Sequence, residues 1–288
     1  RLARRAVPHR ERVALLDQPL ADGDLDGLFA PVADASTIAL AVSGGPDSLA
    51  LLDAADRWRR RGRRPDVVVL TVDHGLRPTS TDEAAMVTEV ARARGLEARV
   101  LTVTEPRPDR DIEAAARMAR YRLLLDAAMA IGASHLLLAH HRDDQAETFL
   151  MRLERGSGVY GLAAMRPFVE ADGVTLFRPF LDLPRTRLAA TTRAAGLKAV
   201  NDPMNRDPRF LRVRVRRIMP ALASAGIDAG RLAEMAGRFA AAADAIDAMV
   251  DTLVETAVAV DELAVVTIET QEFREAPKEA RLRLLVRV

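Results

Sequence analysis

From about residue 36 to residue 158, short runs rich in Val, Ile and Leu alternate with longer stretches of helical period. The runs at 37–42, 67–72, 98–103 and 135–139 each fit a strand buried on both faces. Helices are predicted between them at 47–60, 81–94 and 111–131, and a fourth begins near Asp143. This βαβα order predicts an α/β fold with a doubly wound, mostly parallel sheet. Such sheets bind ligands beyond the C-terminal ends of the strands, close to the point where strand order reverses. The turns after Val42, Val72 and Ala139 are therefore the places where chemistry is expected.

Beyond Gly158 the rhythm weakens to a strand at 174–177, then Pro179 and Pro184, then a helix over 185–195. Residues 185–217 hold ten Arg or Lys against Asp202 and Asp207, whereas 233–262 hold seven acidic residues opposed by Arg238 alone. The reversal of charge, across an Ala-rich helical pattern, predicts a first domain over 1–218, with its core at about 36–180. A small helical domain follows over 219–288. Its last residues, 277–288, read as an amphipathic helix that stops without a cap; the chain also starts without Met, so a trimmed sequence or a fragment is expected.

Composition narrows the classes. A chain of 288 residues, 49% hydrophobic and 29% charged, can bury a real core. It holds no run of 18 uncharged apolar residues, and residues 1–12 do not lead into an apolar segment, so neither a membrane span nor a secretory signal is expected. Cysteine is absent, which excludes disulfides, thiolate zinc sites, iron–sulfur clusters and cysteine-based sulfur transfer; a cytoplasmic location fits best. The formal charge is only +1, so any surface for a polyanion must come from uneven distribution.

The strongest local signal is Ser43, Gly44, Gly45, Pro46, Asp47 and Ser48, placed between the first strand and its helix. Two glycines let backbone approach a phosphate, two serines offer hydroxyls, and the helix start presents amides to an anion. It is neither a Walker A loop nor a dinucleotide fingerprint. The alternative is a tight turn capped by Asp47 or Ser48.

A second cluster, His140, His141, Arg142, Asp143, Asp144, Gln145, Ala146 and Glu147, spans the end of the fourth strand and the next helix. Three carboxylates within five residues exceed what the helix dipole favours, and they suit magnesium binding or proton acceptance. Zinc is the weaker choice without thiolates or a His-x-x-x-His pair. Weaker signals surround these two. Asp73, His74 and Arg77 follow the second strand, where a capped loop explains them as well. Arg117 and Tyr121 share one side of a helix that begins near Glu113. Arg155, Gly156, Ser157 and Gly158 form either an anion-contacting loop or a helix C-cap. Phe210 sits among Arg206, Arg209, Arg212, Arg214, Arg216 and Arg217, suited to phosphate contacts or to a solvated helix face. The six arginines between Arg57 and Arg64 interleave with Trp58 and read as surface or secondary RNA contacts.

Together these motifs resemble the tRNA(Ile)-lysidine synthetase family of PP-loop, N-type ATP pyrophosphatases, over roughly residues 25–220. The chain departs from that family's pattern at Val200, where a Trp is frequent, and in the Arg212–Arg216 stretch. The resemblance implies ATP and Mg2+ as cofactors, with L-lysine and a tRNA(Ile) carrying the CAU anticodon as partners, no membrane, and a homodimer left open. It implies ligation of lysine to carbon 2 of the wobble cytidine through an adenylated tRNA, with release of pyrophosphate and AMP. Residue by residue, Ser43 to Ser48 would hold ATP, and Asp47, Arg117, Asp144 and Glu147 would carry catalysis, Asp47 and Asp144 also meeting magnesium. His140, Asp143, Arg155, Arg209, Arg212, Arg214 and Arg216 would face substrate or tRNA, and the helical domain would bind tRNA. Three alternatives stay open: tRNA thiolation, disfavoured by the missing cysteines; an amide-forming ligase, which leaves the basic region unexplained; and a non-catalytic RNA-binding module.

Overall fold

The computed structural model describes residues 17–62, 64–73, 75, 80–103, 112–200 and 207–288, without the side chains of 112–116. Expectations placed on His74, Arg77 and residues 201–206 therefore lie outside the described residues. The chain divides into two compact units, one of residues 1–145 and 166–217, the other of 146–165 and 218–288.

In the first unit, helix α1 (Asp22–Phe29) precedes β1 (Thr37–Ala41), α2 (Pro46–Arg59), β2 (Asp66–Asp73), α3 (Ser80–Ala93) and β3 (Glu97–Thr102). Then come α4 (Ile112–Ala130), β4 (His135–Leu137) and α5 (Arg142–Glu154), whose later turns belong to the second unit, as does α6 (Val159–Leu162). The first unit closes with β5 (Phe168–Ala171), β6 (Val174–Phe177) and α7 (Arg185–Ala194), and α8 (Leu211–Ser224) starts in it. The six strands lie in the order β3-β2-β1-β4-β6-β5, all parallel except β5, which pairs antiparallel with β6.

Period-two alternation explains why the sheet is covered on both sides. Along β1 and β2, Ile38, Leu40, Val67 and Val69 enter one core with Leu49, Leu52 and Trp58 of α2. The intervening Ala39, Val68 and Leu70 enter a second core with Leu124, Leu125 and Ala128 of α4. The chain leaves β1 for neighbours on one side and returns through β4 on the other, so order reverses between these two strands.

Two sequence expectations need correction. The run 98–103 was expected to be buried on both faces, but β3 is an edge strand with an exposed surface, where Arg99 pairs with Glu97 at 2.7 Å. Trp58 is 1% exposed and stacks on Phe29 at 5.0 Å, and the described arginines around it turn inward to carboxylates. Arg57 pairs with Asp22 and Asp53, Arg59 and Arg60 with Asp56, and Arg61 and Arg64 with Asp26. Arg57, Arg61 and Arg64 thereby clasp α1 to the end of α2, while Arg59 and Arg60 pair within α2.

In the second unit α9 (Ala229–Ala257) is capped by Asp228, whose side chain accepts from the Arg231 amide at 2.8 Å. A hairpin of β7 (Val258–Val260) and β8 (Val266–Ile268) follows, then α10 (Thr270–Glu275) and α11 (Lys278–Arg287). Phe149, Leu162, Leu232 and Ala236 form one small core, and Val250, Ala280 and Leu284 another. No helix among the described residues is long and apolar enough to cross a membrane.

Candidate functional site

The loop after β1 and the turn after β4 meet at the point of strand reversal, where the sequence placed them. Gly44 takes φ +80°, and a Cβ there would sit 3.2 Å from both Val200 and Met86. Glycine is thus required on grounds of backbone and of space. The Val200 amide donates to the Gly44 carbonyl at 2.9 Å, and the buried Thr192 hydroxyl of α7 to that of Pro46 at 2.6 Å. Ser48 does not cap α2: its hydroxyl donates to the Gly45 carbonyl at 3.0 Å and accepts from the Ser43 amide at 3.2 Å. No N-cap side chain closes this helix, which begins with Pro46, and Gly45, Asp47 and Ser48 at its start line the crevice.

A cavity of about 210 Å³ opens beside the loop. Ser43, Asp47 and Ser48 line one side, His140 another, and Arg120, Tyr121 and Leu124 of α4 a third. Arg117, singled out from the sequence, is exposed, with its guanidinium 5.3 Å over the Tyr121 ring; Arg120, from the same face, lines the cavity. Arg178, 8% exposed, hydrogen-bonds Tyr121 and donates from Nη1 to the Arg166 carbonyl at 2.7 Å. Burial, followed by the charges of Arg178, Arg212, Arg117 and Arg120, holds the His140 imidazole well below its ordinary pKa. It stands neutral in a strongly cationic corner, and such a corner favours an anion.

His141 behaves in the opposite way. Burial lowers its pKa, but the Asp47 hydrogen bond and the charges of Asp144, Asp47 and Asp143 outweigh that and raise it. Asp144 is pinned by Arg212, whose Nη2 donates to Oδ1 at 2.7 Å. Asp143 accepts from the Arg185 amide at 2.9 Å and so closes the start of α7. Glu147, 3% exposed, follows Asp144 by one turn on α5, in the part assigned to the second unit. Asp73 caps its own loop, accepting from Ser80 at 2.5 Å and from Thr81 at 2.8 Å.

Arg209 is exposed and paired with Asp207 at 2.6 Å, Arg214 is exposed, and Arg216 is half-buried. Arg155 belongs to the second unit, where Gly156 at φ +65° closes α5 with the two backbone bonds of a Schellman cap. No role is assigned from sequence to Arg120, and Arg178 enters only with Pro179, as part of the family resemblance. Half-burial in the cavity wall is what distinguishes Arg120 from the exposed Arg117.

Among the described residues no group of three or more His, Asp or Glu side chains could hold a metal by itself. Asp47 nonetheless keeps Oδ1 buried without a partner. Magnesium is usually held by one or two carboxylates together with substrate phosphates, so this donor fits that ion when a nucleotide is present.

A PP-loop domain family matches residues 18–222. A tRNA(Ile)-lysidine synthase of Bradyrhizobium sp. is 52% identical over 234 residues, 81% of this chain and 65% of that protein. One of Bradyrhizobium diazoefficiens is 45% identical over 278 residues, covering 94% and 77%. The chain thus spans about two thirds, 65%, of the first relative's length. Among solved structures, the U34-tRNA thiolase NcsA of Methanococcus maripaludis superposes with a TM-score of 0.62 over 75% of this chain and 76% of its own. At 16% identity that likeness speaks for the fold alone.

Proposed function

The chain belongs to the tRNA(Ile)-lysidine synthase family, with the PP-loop domain of that family, and from this premise we propose that it ligates L-lysine to the wobble cytidine of a CAU-anticodon tRNA(Ile) at the expense of ATP. The observation that carries the reading is the cationic corner around His140, set against the uncapped start of α2. A triphosphate answers both features at once.

In this reading the loop from Ser43 to Ser48 holds the phosphates through backbone amides, and Arg120, with Arg117 above Tyr121, offsets charge that builds at the α-phosphate. The cytosine O2 attacks the α-phosphorus; an O–P bond forms, the α–β bridge breaks, and pyrophosphate leaves. The lysine Nε, having lost a proton, then attacks carbon 2; the C–O bond breaks and AMP leaves. Asp144 and Glu147 hold the ammonium and take its proton. Mg2+, held by Asp47 with Asp144 as second carboxylate, would supply charge neutralisation on the phosphates. The base must leave its stack, at a cost of a few kcal/mol. Arg209, Arg214, Arg216 and Arg155, together with the helical residues 219–288, are the proposed tRNA contacts that offset it, and Asp143 fixes the start of α7 beside them.

The test is incubation with Mg2+, ATP, labelled lysine and a CAU-anticodon tRNA(Ile) transcript, with a CAU-anticodon methionine tRNA as control. Label on the isoleucine tRNA alone, with pyrophosphate release, is expected. Pyrophosphate without label would keep the adenylation and reject lysine as nucleophile, and label on both tRNAs would reject the specificity.

A further inference from the structure

His141 lies between the residues to which the sequence motif draws attention, and it is 2% exposed. It occupies the N-cap position of α5. Its Nδ1 accepts from the Asp144 amide at 3.3 Å, while the Asp144 carboxylate accepts from the His141 amide at 3.1 Å. This is a reciprocal capping box with histidine in place of the usual serine or threonine. With Nδ1 accepting, the hydrogen-bond pattern assigns the ring proton to Nε2. That atom lies 3.4 Å from Asp144 Oδ2 and 3.5 Å from Oδ2 of Asp47, in the first turn of α2. One buried ring therefore joins the carboxylate that follows β1 to the one that follows β4, across the point where strand order reverses. Asp47 has one oxygen turned to this ring and the other, Oδ1, buried without a partner.

We propose that His141 is a positioning residue, whose Nε2–H fixes the Asp47 carboxylate against the start of α5 so that Oδ1 stays available to the ATP-bound cation. The inference rests on the reading of this corner as an ATP site. A serine or asparagine would cap α5 equally well. Neither side chain has an atom at the Nε2 position, so reach toward Asp47 is what the histidine adds.

The test separates capping from positioning. His141→Asn keeps a cap acceptor and removes the reach, whereas His141→Ala removes both. His141→Asn is expected to unfold within about 3 °C of the unaltered protein, with His141→Ala lower. By titration calorimetry with ATP and no tRNA, His141→Asn should bind ATP without Mg2+ as the unaltered chain does, because the loop amides are untouched. The gain in affinity on adding Mg2+ should shrink about 10-fold or more, and tRNA-dependent pyrophosphate release should fall about 10–100-fold. If His141→Asn restores the Mg2+ gain and the turnover along with stability, the histidine is a cap only and the proposal is overturned. If the unaltered chain shows the Mg2+ gain but releases no pyrophosphate with tRNA, the functional reading fails. The calorimetric comparison still decides the role of His141.

Discussion

Arg212 reaches across 68 positions of chain to donate from Nη2 to Asp144 Oδ1 at 2.7 Å. The basic stretch that includes Arg212 is therefore divided. One of its guanidiniums enters the corner that holds the carboxylates, while Arg209 and Arg214 stay exposed.

This division predicts that Arg212 and Arg214 fail in different ways. Arg214→Ala should weaken tRNA binding and lower the slope of log affinity against log salt by about 0.7–0.9. Arg212→Ala should leave that slope nearly unchanged and reduce lysine incorporation, as Asp144→Ala should with tRNA binding retained. Filter-binding isotherms at several salt concentrations, beside incorporation assays, measure both. A salt slope left unchanged in Arg214→Ala would remove Arg214 from the RNA footprint.

How much of this was legible in the sequence varies with the physical signal. β1 and β2 announce themselves because a strand buried on both faces admits almost nothing polar. β3 differs in carrying Arg99 in mid-strand, a charge that only a strand with one face in solvent accommodates, and that residue is the mark of its edge position. The β5–β6 hairpin has a local cause: Asp172 and Gly173, at φ 50° and 81°, form the Asp-Gly turn that joins two short strands. At the site, the loop and the His140–Glu147 motif were visible because chemistry concentrates polar residues at strand ends. Arg178 and the capping role of His141 depend on partners far away in sequence or on an uncommon cap acceptor.

Gly44 is held from both sides, which makes it a sensitive probe of the loop. Gly44→Ala places a Cβ 3.2 Å from Val200 and Met86 at φ +80°. A cost of about 1–3 kcal/mol in urea unfolding is expected, with weaker ATP binding. At Gly45 the φ is −70° and a Cβ would meet only the Ser43 hydroxyl, at 3.6 Å, so Gly45→Ala should cost the fold far less. Equal destabilisation of the two would contradict the argument from backbone and space.

In the helical unit, Tyr160 donates to Asp247 at 2.8 Å, and the Arg283 guanidinium lies 4.1 Å from its ring centroid. Burial, then the Asp247 hydrogen bond and charge, push the Tyr160 hydroxyl up to about 12. With two tyrosines in the chain, absorbance titration should resolve a late phenolate phase near that value. The phase should vanish in Tyr160→Phe and move to lower pH in Asp247→Asn. Its persistence in Tyr160→Phe would show that the phase does not belong to Tyr160.

His140 predicts how acid weakens the first unit. Burial, with Arg178, Arg212, Arg117 and Arg120 around it, keeps the folded imidazole neutral well below its ordinary pKa. The unfolded chain takes up that proton near pH 6.5, so between there and the lower folded value the unfolded state binds more protons. Stability from this residue is therefore undiminished above about pH 6.5 and falls on acidification by at most about 1.4 kcal/mol per pH unit. His141, with its raised pKa, acts in the opposite sense, but it is present in both proteins when the unaltered chain is compared with His140→Asn. Urea unfolding of the two between about pH 5 and 8 should show parallel curves above pH 6.5 and a shallower acid decline in the variant. Parallel curves throughout would mean that His140 takes up its proton as readily in the folded state as in the unfolded chain, and a corner that holds the imidazole neutral would then be the wrong description.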